Sequence, residues 1–176
     1  MGMNIEIKAA ARDLQRQREL AVGICDAEPE LIEQTDTFFN VSAGRLKLRD
    51  FATSDDAELI QYDRPDQPGP KTSCYRIVPT SRGSVLKDAL ATALGTLGVV
   101  CKRRHLYRVG QTRIHFDEVA DLGDFIELEV VLSPGQTDDE AAAIARALMA
   151  RLEIRDEDLI DGAYIDMLAA TLRDAP

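Results

Sequence analysis

The chain has 176 residues, 45% of them hydrophobic and 30% charged, with a formal net charge of -10. That is enough for one domain, read as 1–176, with a buried core, and the acidity argues against nonspecific binding to nucleic acid or an anionic membrane. No apolar run approaches the ~18 residues of a membrane span, no signal-peptide core is present, and Cys25, Cys74 and Cys101 lack zinc-site or disulfide spacing, so a cytoplasmic protein with reduced thiols is expected.

Residues 3–10 predict a strand and 11–24 a helix, with Leu14, Leu20, Ala21 and Ile24 near helical spacing. QTDTFFNV (34–41) predicts a strand rich in Thr and Phe, and the acidic stretch DAEPELIEQTD that runs into it reads as solvated helical surface. Ser42-Ala43-Gly44 turns the chain into a strand over 44–51, and residues 57–64 pair back on it as a hairpin. Three prolines and a glycine make 65–71 a loop before a strand over 72–79. A helix over 82–95 carries Val85, Leu86, Ala89, Leu90 and Leu94 on one side. Long strands follow over 98–109, 111–119 and 124–132, then a helix over 137–152 capped by Thr137 or Asp138, and short helices near 156–160 and 162–173. The expected fold class is α+β: an eight-stranded antiparallel β-barrel with helices packed outside.

The chemistry lies in the alternation. Arg45, Lys47 and Arg49 alternate with apolar residues, as do Lys102 and Arg104, Arg113 with His115 and Asp117, Glu127 with Glu129, and Glu6 with Lys8. Successive strand residues point to opposite faces, so each set lies on one face, and in a closed barrel that face is the lumen. Like charges facing each other across a sheet are unfavourable unless an anion compensates. Lys8, Arg45, Lys47, Arg49, Lys71, Lys102, Arg104 and Arg113 are therefore candidate polyanion ligands, with Arg64 able to join them. Glu6, Glu127 and Glu129 are hard oxygen donors suited to Mg²⁺ or Mn²⁺. Lys8, His115 and Asp117 are the candidate catalytic residues, although a histidine in such a place is often structural; Tyr62 and Tyr75 either face the lumen or pack the barrel. No GxxxxGK[ST], GxGxxG or GxSxG motif is present.

The segments NIEIK, DTFFNVSAGRLKLR, KRRHLY and QTRIHFDEVADLGDFIELE, in that order, resemble the CYTH superfamily, the triphosphate tunnel metalloenzymes. DTFF and GRLKLR look most like its class IV (CyaB-type) adenylate cyclase-like bacterial branch. The resemblance implies an eight-stranded tunnel with outer helices. It implies Glu127 and Glu129 as metal ligands helped by Glu6, and Lys8, Arg45, Lys47, Lys102, Arg104 and Arg113 as triphosphate ligands; a homodimer is possible. One departure stands out: the family's ExExK signature begins here with Asn4, which offers a neutral oxygen and no charge. The expected partner is a nucleoside triphosphate or an inorganic or organic triphosphate. Three functions are open: a class IV-like adenylate cyclase making cyclic AMP and pyrophosphate, a triphosphatase hydrolysing a terminal phosphate, or a non-catalytic nucleotide or polyphosphate binder.

Overall fold

A computed structural model describes residues 1–174; the last two positions of the expected 1–176 domain lie outside the described residues. In chain order the elements are β1 (Gly2–Ala10), α1 (Leu14–Val22), β2 (Glu30–Phe39), β3 (Arg45–Phe51), β4 (Ala57–Asp63), β5 (Lys71–Thr80), α2 (Gly83–Leu94), β6 (Thr96–Val109), β7 (Thr112–Val119), β8 (Gly123–Val131), α3 (Asp138–Arg151), a 3₁₀ turn (Asp156–Asp158) and α4 (Tyr164–Asp174). The strands close into an antiparallel barrel in the order β1-β5-β4-β3-β2-β6-β7-β8, with β1 pairing both β5 and β8. This is the eight-stranded architecture that the alternating pattern implies. No helix among the described residues is long and apolar enough to cross a membrane.

The outward apolar positions account for the helix layer. Ile5, Ile7, Ile114, Phe116, Ile126 and Leu128 on β1, β7 and β8 pack with Ala141, Ala145 and Leu148 of α3 in one buried cluster. Thr137 and Glu140 form the reciprocal capping box that starts α3. On the other side Phe39 and Leu48 pack with Leu86 and Leu90 of α2. A third cluster joins Phe38, Val100, Val119 and Phe125, at one end of the barrel, to Ala163, Tyr164 and Ile165. So α4 covers a barrel end instead of joining the outer layer. Gly98 permits this close approach, since a Cβ there would stand 2.5 Å from Ile165 Cδ1.

Several boundaries differ from expectation. β2 starts at Glu30, inside the stretch expected to be solvated helix, because Glu30–Gln34 finds ladder partners in Lys102–Leu106 of β6. Non-local pairing overrides the acidic local composition. β6 likewise starts at Thr96, and Asp156–Asp158 forms a single 3₁₀ turn. The three cysteines are free, Cys25 and Cys74 half-buried and Cys101 exposed on the outer wall.

Candidate active site in the barrel lumen

The inward-facing residues enclose a cavity of about 320 Å³. Ala163 and Tyr164, from the segment that closes the α4 end, form its floor. The opposite end is a mouth where the lining includes Glu30, Arg108 and the 40% exposed Ile77. The register places lumen residues at successive depths. From floor to mouth, β2 presents Phe38, Asp36, Gln34 and Ile32, while β6 presents Val100, Lys102, Arg104 and Leu106.

Two buried carboxylates organise the cations. Asp36 accepts from Lys47 Nζ at 2.7 Å and from Arg49 Nε at 2.9 Å, with Lys102 Nζ 3.9 Å away. Burial pushes its carboxyl up, but Arg49, Lys47 and Lys102 together hold it well below the usual range. Asp117 accepts from Arg104 through Nε and Nη2, both at 2.6 Å, from Lys102 at 3.3 Å and from the Tyr164 hydroxyl at 3.1 Å. Arg104 also donates to Glu127 at 2.6 Å, and Lys8 lies 3.2 Å from the other oxygen of that carboxylate. Such a network costs desolvation at every member, and its well-formed hydrogen bonds offset that cost. Burial leaves its mark on the lysines: Lys8 is pushed below its ordinary range, and Lys47 down to about 8 despite Asp36.

Elsewhere in the lumen the pairing is looser. Arg113, toward the mouth, meets Glu129 at 2.8 Å. Arg64, at the closed end, donates through Nη2 to the Gly162 carbonyl at 3.3 Å and has Nη1 3.3 Å from Glu6. Buried Arg113 Nε and both Nε and Nη1 of Arg64 make no hydrogen bond. Burial raises the Glu6 carboxyl, only partly countered by Arg64. His115 Nδ1 is buried without a hydrogen-bond partner, 3.7 Å from Glu127 and 3.8 Å from Glu129. Burial, reinforced by Arg104, lowers its pKa and favours the neutral imidazole, the form that can bind a metal. One donor atom from each of His115, Glu127 and Glu129 can be chosen so that all lie within 4.8 Å of one another. Two carboxylates and an orphaned imidazole nitrogen fit a divalent cation.

The barrel thus brings Lys8, Lys47, Arg49, Lys102, Arg104, Arg113, Glu6, Glu127, Glu129 and His115 to one cavity, with Arg64, Tyr62 and Tyr75 in its lining. Asp117 sits behind that wall, its oxygens taken up by Arg104, Lys102 and Tyr164, so it positions cations and is not free to take a proton. Two of the expected cations do not line the cavity. Arg45 pairs with Asp66 at 2.7 Å and Asp166 at 2.8 Å, tying α4 to the barrel rim. Lys71 donates to the carbonyls of Gln67 at 2.9 Å and Ile160 at 3.3 Å. Their parity along the strands is as expected, but both lie at the closed end, where the chain's own C-terminal segment supplies the acceptors. Asp36 and Tyr164 are the site residues that sequence reasoning passed over. The alternation Gln34-Asp36-Phe38 carries a signal for the first; nothing local marks the second.

No curated protein sequence matches the chain. Among solved structures it is similar to a Pyrococcus horikoshii protein at 22% identity, with a TM-score of 0.75, over 93% of this chain and 98% of that one. It is also similar to a candidate adenylate cyclase from Vibrio parahaemolyticus, at 16% identity and TM-score 0.69, over 95% and 98% of the two chains. A third, from Hippeastrum, is described as a candidate adenylyl cyclase with a dominant triphosphatase activity; it matches at 13% identity and TM-score 0.63, over 93% and 91%. At these identities the structures share the fold with this chain. The sequence model of the CYTH domain matches residues 2–164, and the chain belongs to that family.

Proposed function

We infer that this protein is a metal-dependent enzyme that breaks a phosphoanhydride bond of a triphosphate, in the manner of a class IV adenylate cyclase. The observation that carries this reading is the coexistence, in one blind cavity, of buried guanidinium N–H groups lacking acceptors, on Arg64 and Arg113, with the convergent donors His115, Glu127 and Glu129. The first call for phosphate oxygens, bound by charge-assisted hydrogen bonds; the second suit Mg²⁺ or Mn²⁺. When bound there, the metal ion would neutralise charge on the phosphate oxygens and the leaving group.

The chain's own contribution is positioning and electrostatics. Lys47, Arg49, Lys102 and Arg104 are held by Asp36 and Asp117 before substrate arrives, so little reorganisation is needed. Arg113 supplies an open donor nearer the mouth and Arg64 supplies open donors near the floor. In the cyclase reaction the ribose 3′-oxygen forms a bond to the α-phosphorus, the α–β bridging bond breaks, pyrophosphate leaves, and the hydroxyl proton passes to water. Hydrolysis of the terminal phosphate is the second reading, favoured by the dominant triphosphatase activity named for the Hippeastrum neighbour. Product analysis with ATP or tripolyphosphate and Mg²⁺ or Mn²⁺ separates them. Cyclic AMP with pyrophosphate is expected; orthophosphate without cyclic AMP replaces cyclisation by hydrolysis, and binding without turnover makes the protein a sensor.

A further inference from the structure

The lumen compensates its cations in two ways. Lys47 donates to Asp36 at 2.7 Å, and Arg104 spends its Nε and Nη2 on Asp117 and Glu127. The Lys8 ammonium, on a side chain only 3% exposed, is treated differently. Glu127 stands 3.2 Å from it, yet among the described residues its N–H groups make no hydrogen bond. What covers it is the Tyr164 ring, whose centroid lies 3.7 Å from Nζ, with Lys102 Nζ at 4.9 Å. A carboxylate compensates a lysine by accepting its N–H groups. An aromatic face attracts the same charge through its quadrupole and leaves the ammonium with donors to spare.

The ring is fixed in that place by several contacts. Its phenol donates to Asp117 at 3.1 Å, and Phe125 packs against it at 5.0 Å and 56°. Ala163 and Ile165 on either side of it are buried in the same cluster as Phe38 and Val100. Four residues earlier the Ile160 N–H donates to the Lys8 carbonyl at 2.9 Å, and Leu159 bridges to Ala9. Backbone pairing thus sets the height of the ring against that of the ammonium.

We propose that Tyr164 is a positioning residue: its ring holds the Lys8 ammonium clear of a hydrogen-bonded pair with Glu127, so that the N–H groups stay open to the deepest phosphate group of a bound triphosphate. This rests on the triphosphate reading above and goes beyond it by giving the C-terminal segment a part in phosphate binding. When the ring's attraction is weakened, Lys8 closes onto Glu127, and the ligand must break that pair to bind.

The test is calorimetric titration of the full chain with ATP and with tripolyphosphate, with Ca²⁺ as the divalent ion so that binding is read apart from turnover. The ligand that binds the wild type more tightly is then carried through Tyr164→Phe and the mono-, di- and trifluorinated forms of that ring. Fluorine withdraws electron density from the ring face at nearly constant shape, so packing is kept while the attraction for a cation falls. Tyr164→Phe should bind within about threefold of the wild type, and the trifluorinated ring about tenfold more weakly than Tyr164→Phe, with the others in between. In a Lys8→Met background most of that slope should vanish, which a role in packing alone would not produce. A flat series, or one that keeps more than half its slope without Lys8, overturns the positioning role and leaves the triphosphate reading standing. Binding of neither ligand to the wild type overturns both.

Discussion

The Lys8 ammonium lies 3.7 Å from the centre of the Tyr164 ring, a cation–π contact at the floor of the cavity between the first strand and the last helix. The same phenol donates to Asp117 at 3.1 Å, and Lys102 stands 4.9 Å from the ring. One side chain from the C-terminal segment therefore touches two lumen cations and the carboxylate that holds a third. Tyr164→Phe removes one buried hydrogen bond and should cost about 1 kcal/mol, whereas Tyr164→Ala opens the floor and should cost about 4 kcal/mol. Urea unfolding of the two variants measures the difference; equal costs would show that the ring contributes nothing.

Asp36 is the anion that three cations share, so removing its charge has opposite effects on the empty and filled protein. Asp36→Asn should lower the stability of the free protein by about 3 kcal/mol, since it leaves buried positive charge uncompensated. Tripolyphosphate should then raise the melting temperature of the variant by more than it raises that of the wild type. Equal shifts would mean that the ligand does not reach Lys47 and Arg49.

Lys47 gives the site a pH dependence whose sign can be worked out. Its folded pKa lies at about 8, below its ordinary value, so its charge is present at pH 7 and lost as pH rises through 8. A bound triphosphate favours the charged form, so binding takes up a proton above pH 8 and weakens there. Affinity for tripolyphosphate should fall about three- to tenfold between pH 7.5 and 9, and Lys47→Arg should remove most of the decline. A flat wild-type profile would exclude Lys47 from contact.

Glu129 belongs to the convergent donor set and is only 18% exposed at its side chain. Glu129→Gln should weaken Mn²⁺ binding at least about tenfold, read by titration of the free protein, with the unfolding midpoint little changed. Unaltered Mn²⁺ affinity would move the metal elsewhere.

Arg45 offers a control at the closed end. Its pairs with Asp66 and Asp166 are partly exposed and each contributes less than about 1 kcal/mol. Arg45→Ala should speed amide exchange over 164–174 and leave tripolyphosphate affinity within about twofold. A large loss of affinity would place the guanidinium on the ligand.

Alternation made the barrel legible, because a period of two leaves each strand one choice of inner face, and the apolar outer face fixes that choice. It therefore also pointed to the face shared by Lys47, Arg49, Lys102 and Arg104. It carried no information about depth. Arg45 and Lys71 have the parity of their neighbours, but their distance from the floor depends on where residues 160–166 return, and that is set by contacts over about a hundred positions. Tyr164 was hidden for the same reason. Asp36 was hidden differently: its strand read as Thr- and Phe-rich, and a lone carboxylate there gave no sign that three cations from two other strands converge on it.

Because Ala163 and Tyr164 stop the bore at one end, traffic through the barrel is last in, first out. Under the cleavage proposed above, the product lying deeper must wait until whatever lies nearer the mouth has gone. Product release would then have an obligatory order, and the mouth-side product, added in excess, should trap the deeper one inside.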